Sequence, residues 1–154
     1  MTEMIWLIAA TVLAALLMGT SFSHVLQMGP KMRVDGAQWL RYQHTLYRCH
    51  ASVGGAVEAG ALLATLVVAW LVHDEGPAFP LATFAALLLA AAFFGVWICV
   101  TRVVNRRTAH WTEAALPDDW QRWRARWEYS HAVRFALQLL GFVALLCALL
   151  AREA

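Results

Sequence analysis

Residues 79–100 read FPLATFAALLLAAAFFGVWICV, without one charged side chain. A helix rises about 1.5 Å per residue and a bilayer's hydrocarbon core is about 30 Å thick, so about 20 apolar residues in one helix cross it. This stretch meets that length. It decides the fold because three similar stretches flank it. One runs from about Met4 to Leu26 with no charge. A second runs from about Cys49 to Val72 with Glu58 as its one charge. The last runs from about Ala132 to Leu150 with Arg134 near its start. Glu3 is the only charge ahead of the first stretch, and the apolar run is long, so it reads as a retained span rather than a cleaved signal.

The composition agrees. Of the 154 residues, 61% are hydrophobic and 14% are charged, against about 25% charged in a soluble domain. The charges gather between the apolar runs, which leaves little chain for a soluble domain. The expectation is an all-α fold: a single integral-membrane domain over 1–154, built as an antiparallel four-helix bundle. The spans fall at about 4–26, 49–72, 79–100 and 132–150, with helices two and four extended into the cytoplasm.

Four spans put the segments 27–48 and 101–131 on one face. That face holds Lys31, Arg33, Arg41, Arg48, Arg102, Arg106, Arg107, Arg122, Arg124, Arg126 and Arg134, which is every Lys and Arg except Arg152. Cytoplasmic loops carry an excess of such residues. The chain is therefore expected in the cell's inner (plasma) membrane, with long loops cytoplasmic and both termini outside. Anionic lipid headgroups explain the basic face more economically than nucleic acid does. Cys49, Cys99 and Cys147 lack metal-type spacing and read as small buried apolar residues.

The linkers carry their own signals. Gly29-Pro30 marks the end of helix one. Asp35 offers an N-cap, and the pattern from Gly36 to Tyr47 predicts helix running straight into span two. Leu116-Pro117-Asp118-Asp119 opens a helix that meets no breaker before Leu150 except Gly141. That helix is longer than the bilayer, so its first third is expected to project, with Trp120, Trp123, Trp127 and Tyr129 as interface anchors.

Polar residues inside a span are costly and each needs an account. His44, Tyr47, Ala51, Gly54 and Glu58 share one helical stripe, and Trp127, His131, Arg134, Gln138 and Gly141 share another. Thr20, His24 and Gln27 line helix one. Cys99, Arg102 and Asn105 or Arg106 line the end of helix three. All these stripes lie in the cytoplasmic half, which also holds every histidine except His73. Gly54 and Gly55 beside Glu58 read either as close helix packing or as space for a flat ligand. Three readings follow. His24, His44 and His131 could ligate haem b, copper or non-haem iron. Glu58 with Arg134 and Gln138 could form a proton relay or acid–base site, without a cofactor. The whole set could instead be a polar network that fixes helix register. No phosphate loop, nucleophile elbow or dinucleotide fingerprint is present.

Further motifs point to a family. They are Ser23-His24-Val25-Leu26 with Met28-Gly29-Pro30-Lys31, Gln43-His44-Thr45-Leu46-Tyr47, and Asn105. Trp111, Leu116-Pro117, Asp119-Trp120, Arg126-Trp127, His131 and Arg134 complete the set. In this order they resemble the anthrone oxygenase-like family of small four-span membrane proteins, in its bacterial branch. The resemblance implies a four-helix membrane bundle and oxidation of an anthrone-like or other phenolic aromatic by oxygen.

The expectation that results is a membrane oxidoreductase or oxygenase for a small lipophilic aromatic entering from the bilayer. Glu58, His131, Arg134 and Asn105 are the candidate catalytic residues. His24, His44, His131, Trp127 and Arg134 are the candidate cofactor contacts, and the three histidines are the candidate metal ligands. Arg134 and Asn105 would orient an oxyanion or a propionate, and Trp127 would form a wall. The competing expectations are a non-enzymatic binding or transport protein and a structural subunit of a larger membrane complex. A homo-oligomer is compatible with each.

Overall fold

Among the described residues, four helices are long and apolar enough to cross a membrane, and they account for most of the chain. The structure, a computed structural model, describes residues 1–47 and 50–152, and the side chains of 50–52 are not among those described. Helix α1 spans Thr2–Lys31, α2 Gly36–His44 and α3 His50–Leu71. Helix α4 spans Ala78–Ala90 and passes through a π-helical stretch, Ala91–Thr101, into α5, Arg102–Thr108. Helix α6 spans Trp120–Leu150. The π stretch lies within one continuous apolar helix, Ala78–Thr108. Arg48, Cys49, Glu153 and Ala154 lie outside the described residues, and so does the expected start of span two.

Helices α1 and α4 each pack against both α3 and α6, so the bundle is a four-cornered, up–down one. Its closed end holds the termini. There Arg152 reaches Glu3 at 2.8 Å and Glu75 at 2.6 Å. The half of the bundle next to that end is close-packed and apolar. Leu7, Ala10 and Ala14 meet Ala64, Val68, Ala82, Ala85, Ala144, Leu145 and Ala148. Small residues let membrane helices approach. A Cβ on Gly141 would lie 3.4 Å from Leu89 and 3.6 Å from the Ala85 carbonyl.

The structure departs from expectation in five ways, four of them at the other end. Helix α1 does not stop at Gly29-Pro30 but carries Pro30 inside its last turn. One missing N–H costs little there, and the turn is closed by Met32 N–H to Met28 O and Arg33 N–H to Pro30 O. Lys31 thereby stays on the His24 face. Asp35 caps α2 as expected, accepting from Gln38 N–H at 2.8 Å. However, α2 does not run into α3. Thr45 bonds back to the Arg41 carbonyl and Tyr47 N–H closes on Tyr42 O, so the chain turns. The turn lets Tyr47 donate to Gln27 on α1 at 2.5 Å and buries Trp39 and Leu40.

The π stretch is a further departure. It widens the third span where Trp97 and Thr101 face the interior, and such insertions cluster at functional sites. The fourth departure is at the start of α6, where side chains expected as interface anchors are engaged with the rest of the chain. Arg124 donates to Val34 O at 2.7 Å and Lys31 O at 3.3 Å, and Trp127 is buried. Asp119 offers no backbone cap; its carboxylate accepts from Trp123 Nε1–H instead. Lastly, Cys99 and Cys147 are exposed rather than buried. Both sit in apolar spans, where an outward thiol meets lipid instead of water.

Candidate functional site

A cavity of about 560 Å³ opens in the half of the bundle away from the termini. Ligand pockets in proteins run from roughly 300 to 1,000 Å³. Helix α1 contributes Thr20, Ser21 and His24, and the α2 segment contributes Gln43, His44 and Tyr47. Gly54 comes from α3, and Trp97, Thr101 and Asn105 come from the third span. Helix α6 supplies Trp127, His131 and Arg134. Among the described residues, a Cβ on Gly54 would meet nothing within 4 Å. Gly54 therefore borders open space, whereas a Cβ on Gly55 would lie 3.3 Å from the Trp97 ring, as close packing requires.

The imidazoles of His24 and His131 stack, with centroids 4.0 Å apart and planes 22° from parallel. Trp127 meets both edge-on, at 5.1 and 4.3 Å, and Tyr47 lies 4.8 Å from His24. Each histidine has a cation behind it, and each cation a carboxylate. Lys31 Nζ lies 3.4 Å from His24 Nδ1 and 2.9 Å from Glu128. The Arg134 guanidinium lies 3.4 Å from His131 Nδ1 and donates to Glu58 at 2.7 Å. Gln138 donates to the second Glu58 oxygen at 3.2 Å. Lys31, Glu58, Glu128, Arg134 and Gln138 are all buried. Two carboxylate–cation–imidazole chains thus meet in one histidine stack. The Lys31 ammonium also sits over the Tyr47 and Trp127 rings, at 5.1 and 4.8 Å.

Lys and Arg carry donors only, so each Nδ1 facing them is an acceptor and the ring proton is on Nε2. A metal-bound imidazole has the reverse arrangement, with its second nitrogen donating to a carboxylate or carbonyl. Face-to-face rings at 4.0 Å also leave no gap for a porphyrin between two axial ligands. The third expected ligand, His44, donates from Nε2 to the Thr108 carbonyl at 3.1 Å. Among the described residues no group of three or more His, Cys, Asp or Glu is arranged to hold a metal ion. The donor set His24, His44 and His131 does not fit haem or a metal in this geometry, and no step is routed through either.

The other expected site residues fall as follows. Glu58 and Arg134 form the buried pair predicted for them. Asn105 lines the cavity, but its Oδ1 accepts from Trp127 Nε1–H at 2.8 Å, so it fixes the Trp127 wall. Burial pushes the Tyr47 phenol up to about 12, so at neutral pH it remains the hydroxyl that donates to Gln27.

Lys31 as a site residue, and Glu128, were missed from sequence. The signal was there for both. Lys31 stands two helical turns after His24, beyond a Gly-Pro read as a helix end. Glu128 precedes His131 by three positions, on the stripe of Arg124 and Trp127. The π stretch left no such signal. Comparison of the chain with protein-family models, curated proteins and solved structures finds no match, so the likeness to the anthrone oxygenase-like family rests on the sequence motifs alone.

Proposed function

We propose that this chain is a membrane oxidoreductase that binds a small, flat, lipophilic aromatic of anthrone or phenol type and promotes its oxidation by dioxygen. One observation carries the reading: the stacked His24–His131 pair beside an aromatic-walled cavity, backed by two buried carboxylate–cation pairs. Burying four charges within a membrane bundle is expensive. Such pairs contribute little to stability compared with apolar residues of the same volume, so their presence beside a cavity favours chemistry.

Trp97, Trp127 and Tyr47 supply ring-stacking walls. Thr20 both lines the cavity and is exposed on α1, which brings the rim to the depth where a lipophilic molecule arrives. For an anthrone, the ring methylene gives up its two hydrogens and gains one oxygen atom as a carbonyl. The other atom of dioxygen leaves as water with those hydrogens. The chain's own task is to hold the ring, exclude bulk water and manage the proton leaving the methylene, and the histidine pair supplies the acid–base groups for it. Glu128 and Glu58, through Lys31 and Arg134, hold the two imidazoles in place. The basic end faces the cytoplasm of an inner (plasma) membrane, consistent with its excess of Arg. A transport reading draws on the Glu58–Arg134 pair, but in the close-packed apolar half the buried Thr11 and Thr65 hydroxyls are spent on carbonyls of their own helices, Leu7 O and Ala61 O.

The test uses purified protein in lipid vesicles with anthrone. Dioxygen uptake and quinone absorbance should rise together, one molecule of each per anthrone, above the rate in protein-free vesicles. His131→Ala should remove the excess by roughly a hundredfold or more. A wild-type rate equal to that of empty vesicles overturns the proposal.

A further inference from the structure

The outward face of α6 changes character along its length. Leu140, Val133 and Tyr129 are exposed, and towards the start of the helix the same face carries exposed Arg126 and Arg122. The third span does likewise, with exposed Val103 followed by exposed Arg106 and Arg107. An apolar surface that gives way through an aromatic residue to arginines marks the boundary between acyl chains and headgroups.

Trp123 sits at that boundary and is held in place. Its indole N–H donates to Asp119 at 2.8 Å. The Arg107 guanidinium, from α5, lies 4.4 Å from its ring centroid, and that of Arg126 lies 5.7 Å away. Beside it is a small concavity of about 180 Å³ lined by Asp119, Arg122, Trp123 and Arg126. Three arginines elsewhere have acids: Arg41 pairs with Glu113, Arg134 with Glu58 and Arg152 with Glu75. Among the described residues no carboxylate forms an ion pair with Arg107, Arg122 or Arg126. Asp119, the one acid in the concavity, is already engaged by the indole. Long-range attraction to an anionic membrane needs only scattered charge. Two guanidiniums from different helices over one fixed indole are a local arrangement, and a guanidinium fork matches phosphate oxygens.

We propose that this surface, between α5 and the start of α6, is a binding site for an anionic phospholipid. Arg107 and Arg126 take its phosphate, Trp123 forms the floor, and the acyl chains lie along Val103, Tyr129 and Val133. The site is separate from the cavity and independent of the activity proposed for it.

Native mass spectrometry of the full chain released from nanodiscs of equal phosphatidylglycerol and phosphatidylcholine tests this. The wild type should retain phosphatidylglycerol in preference to phosphatidylcholine. The double variant Arg107→Gln/Arg126→Gln, altered only at exposed positions, should lose that retention by roughly tenfold. Arg41→Gln, at the same end but paired with Glu113, should leave it unchanged. Equal retention of the two lipids overturns the proposal, as does retention unaffected by the double variant. Displacement of the lipid by millimolar inorganic phosphate, with phosphate adducts in its place, assigns the site to free phosphate and overturns it as well.

Discussion

The two halves of this bundle solve the same packing problem in opposite ways. Near the termini, alanines, leucines and valines from all four spans fill the interior. At the other end, the same helices bury Lys31, Glu58, Glu128 and Arg134 around a cavity. The apolar half gains contact area at every position. The polar half gives up contact area for space and must compensate four charges. The contrast separates the half whose helices are close-packed from the half that leaves a cavity between them.

The comparison breaks most visibly if one partner of a buried pair is removed. Glu128→Ala leaves the Lys31 ammonium buried among Tyr47 and Trp127, and should destabilise the fold by about 3–5 kcal/mol in micelle unfolding experiments. A loss below about 1 kcal/mol would show that water already reaches Lys31. Gly141→Leu probes the other half. Its added carbons meet Leu89 and the Ala85 carbonyl, so overpacking should cost about 1–3 kcal/mol while oxidation is retained. Gly54→Leu sharpens the contrast, since the same change now enters open space. Stability should stay within about 0.5 kcal/mol, the scale of changes that meet no packed neighbour. Anthrone oxidation should fall with the cavity filled, and full activity would place the substrate elsewhere.

The smallest effect is at Tyr47. Burial raises its phenol to about 12, above the unfolded value of about 10. The folded state therefore favours the protonated form. That contribution is fully present below about pH 10 and is lost as pH rises through about 12. An alkaline absorbance titration, wild type minus Tyr47→Phe, should show tyrosinate appearing with a midpoint near 12. A midpoint near 10 would contradict the burial.

The four-span architecture was legible because residues 79–100 and their three counterparts depend only on length and apolarity. Glu58 with Arg134, and the wall role of Trp127, were legible because a charge or an indole at 3–4 spacing must face the interior. The pairing of Lys31 with Glu128 was not. It depends on α1 continuing through Pro30, which a local Gly-Pro signal argues against and tertiary contacts overrule. The break between α2 and α3 was hidden for the same reason, since the turn at Thr45 to Tyr47 brings the Tyr47 hydroxyl to Gln27 on α1. The metal reading failed on orientation. Spacing placed His24 and His131 at similar depth, but it could not say that cations would stand behind both Nδ1 atoms.

On the proposed function, the polar half serves chemistry rather than stability. The double replacement Glu58→Leu/Arg134→Leu tests it most directly, with unfolding free energy and anthrone oxidation measured on the same preparation. Stability should equal that of the wild type or rise by up to about 4 kcal/mol, with oxidation reduced by roughly a hundredfold or more. Wild-type oxidation in the double variant, or a loss of stability as large as that of Glu128→Ala, would contradict it.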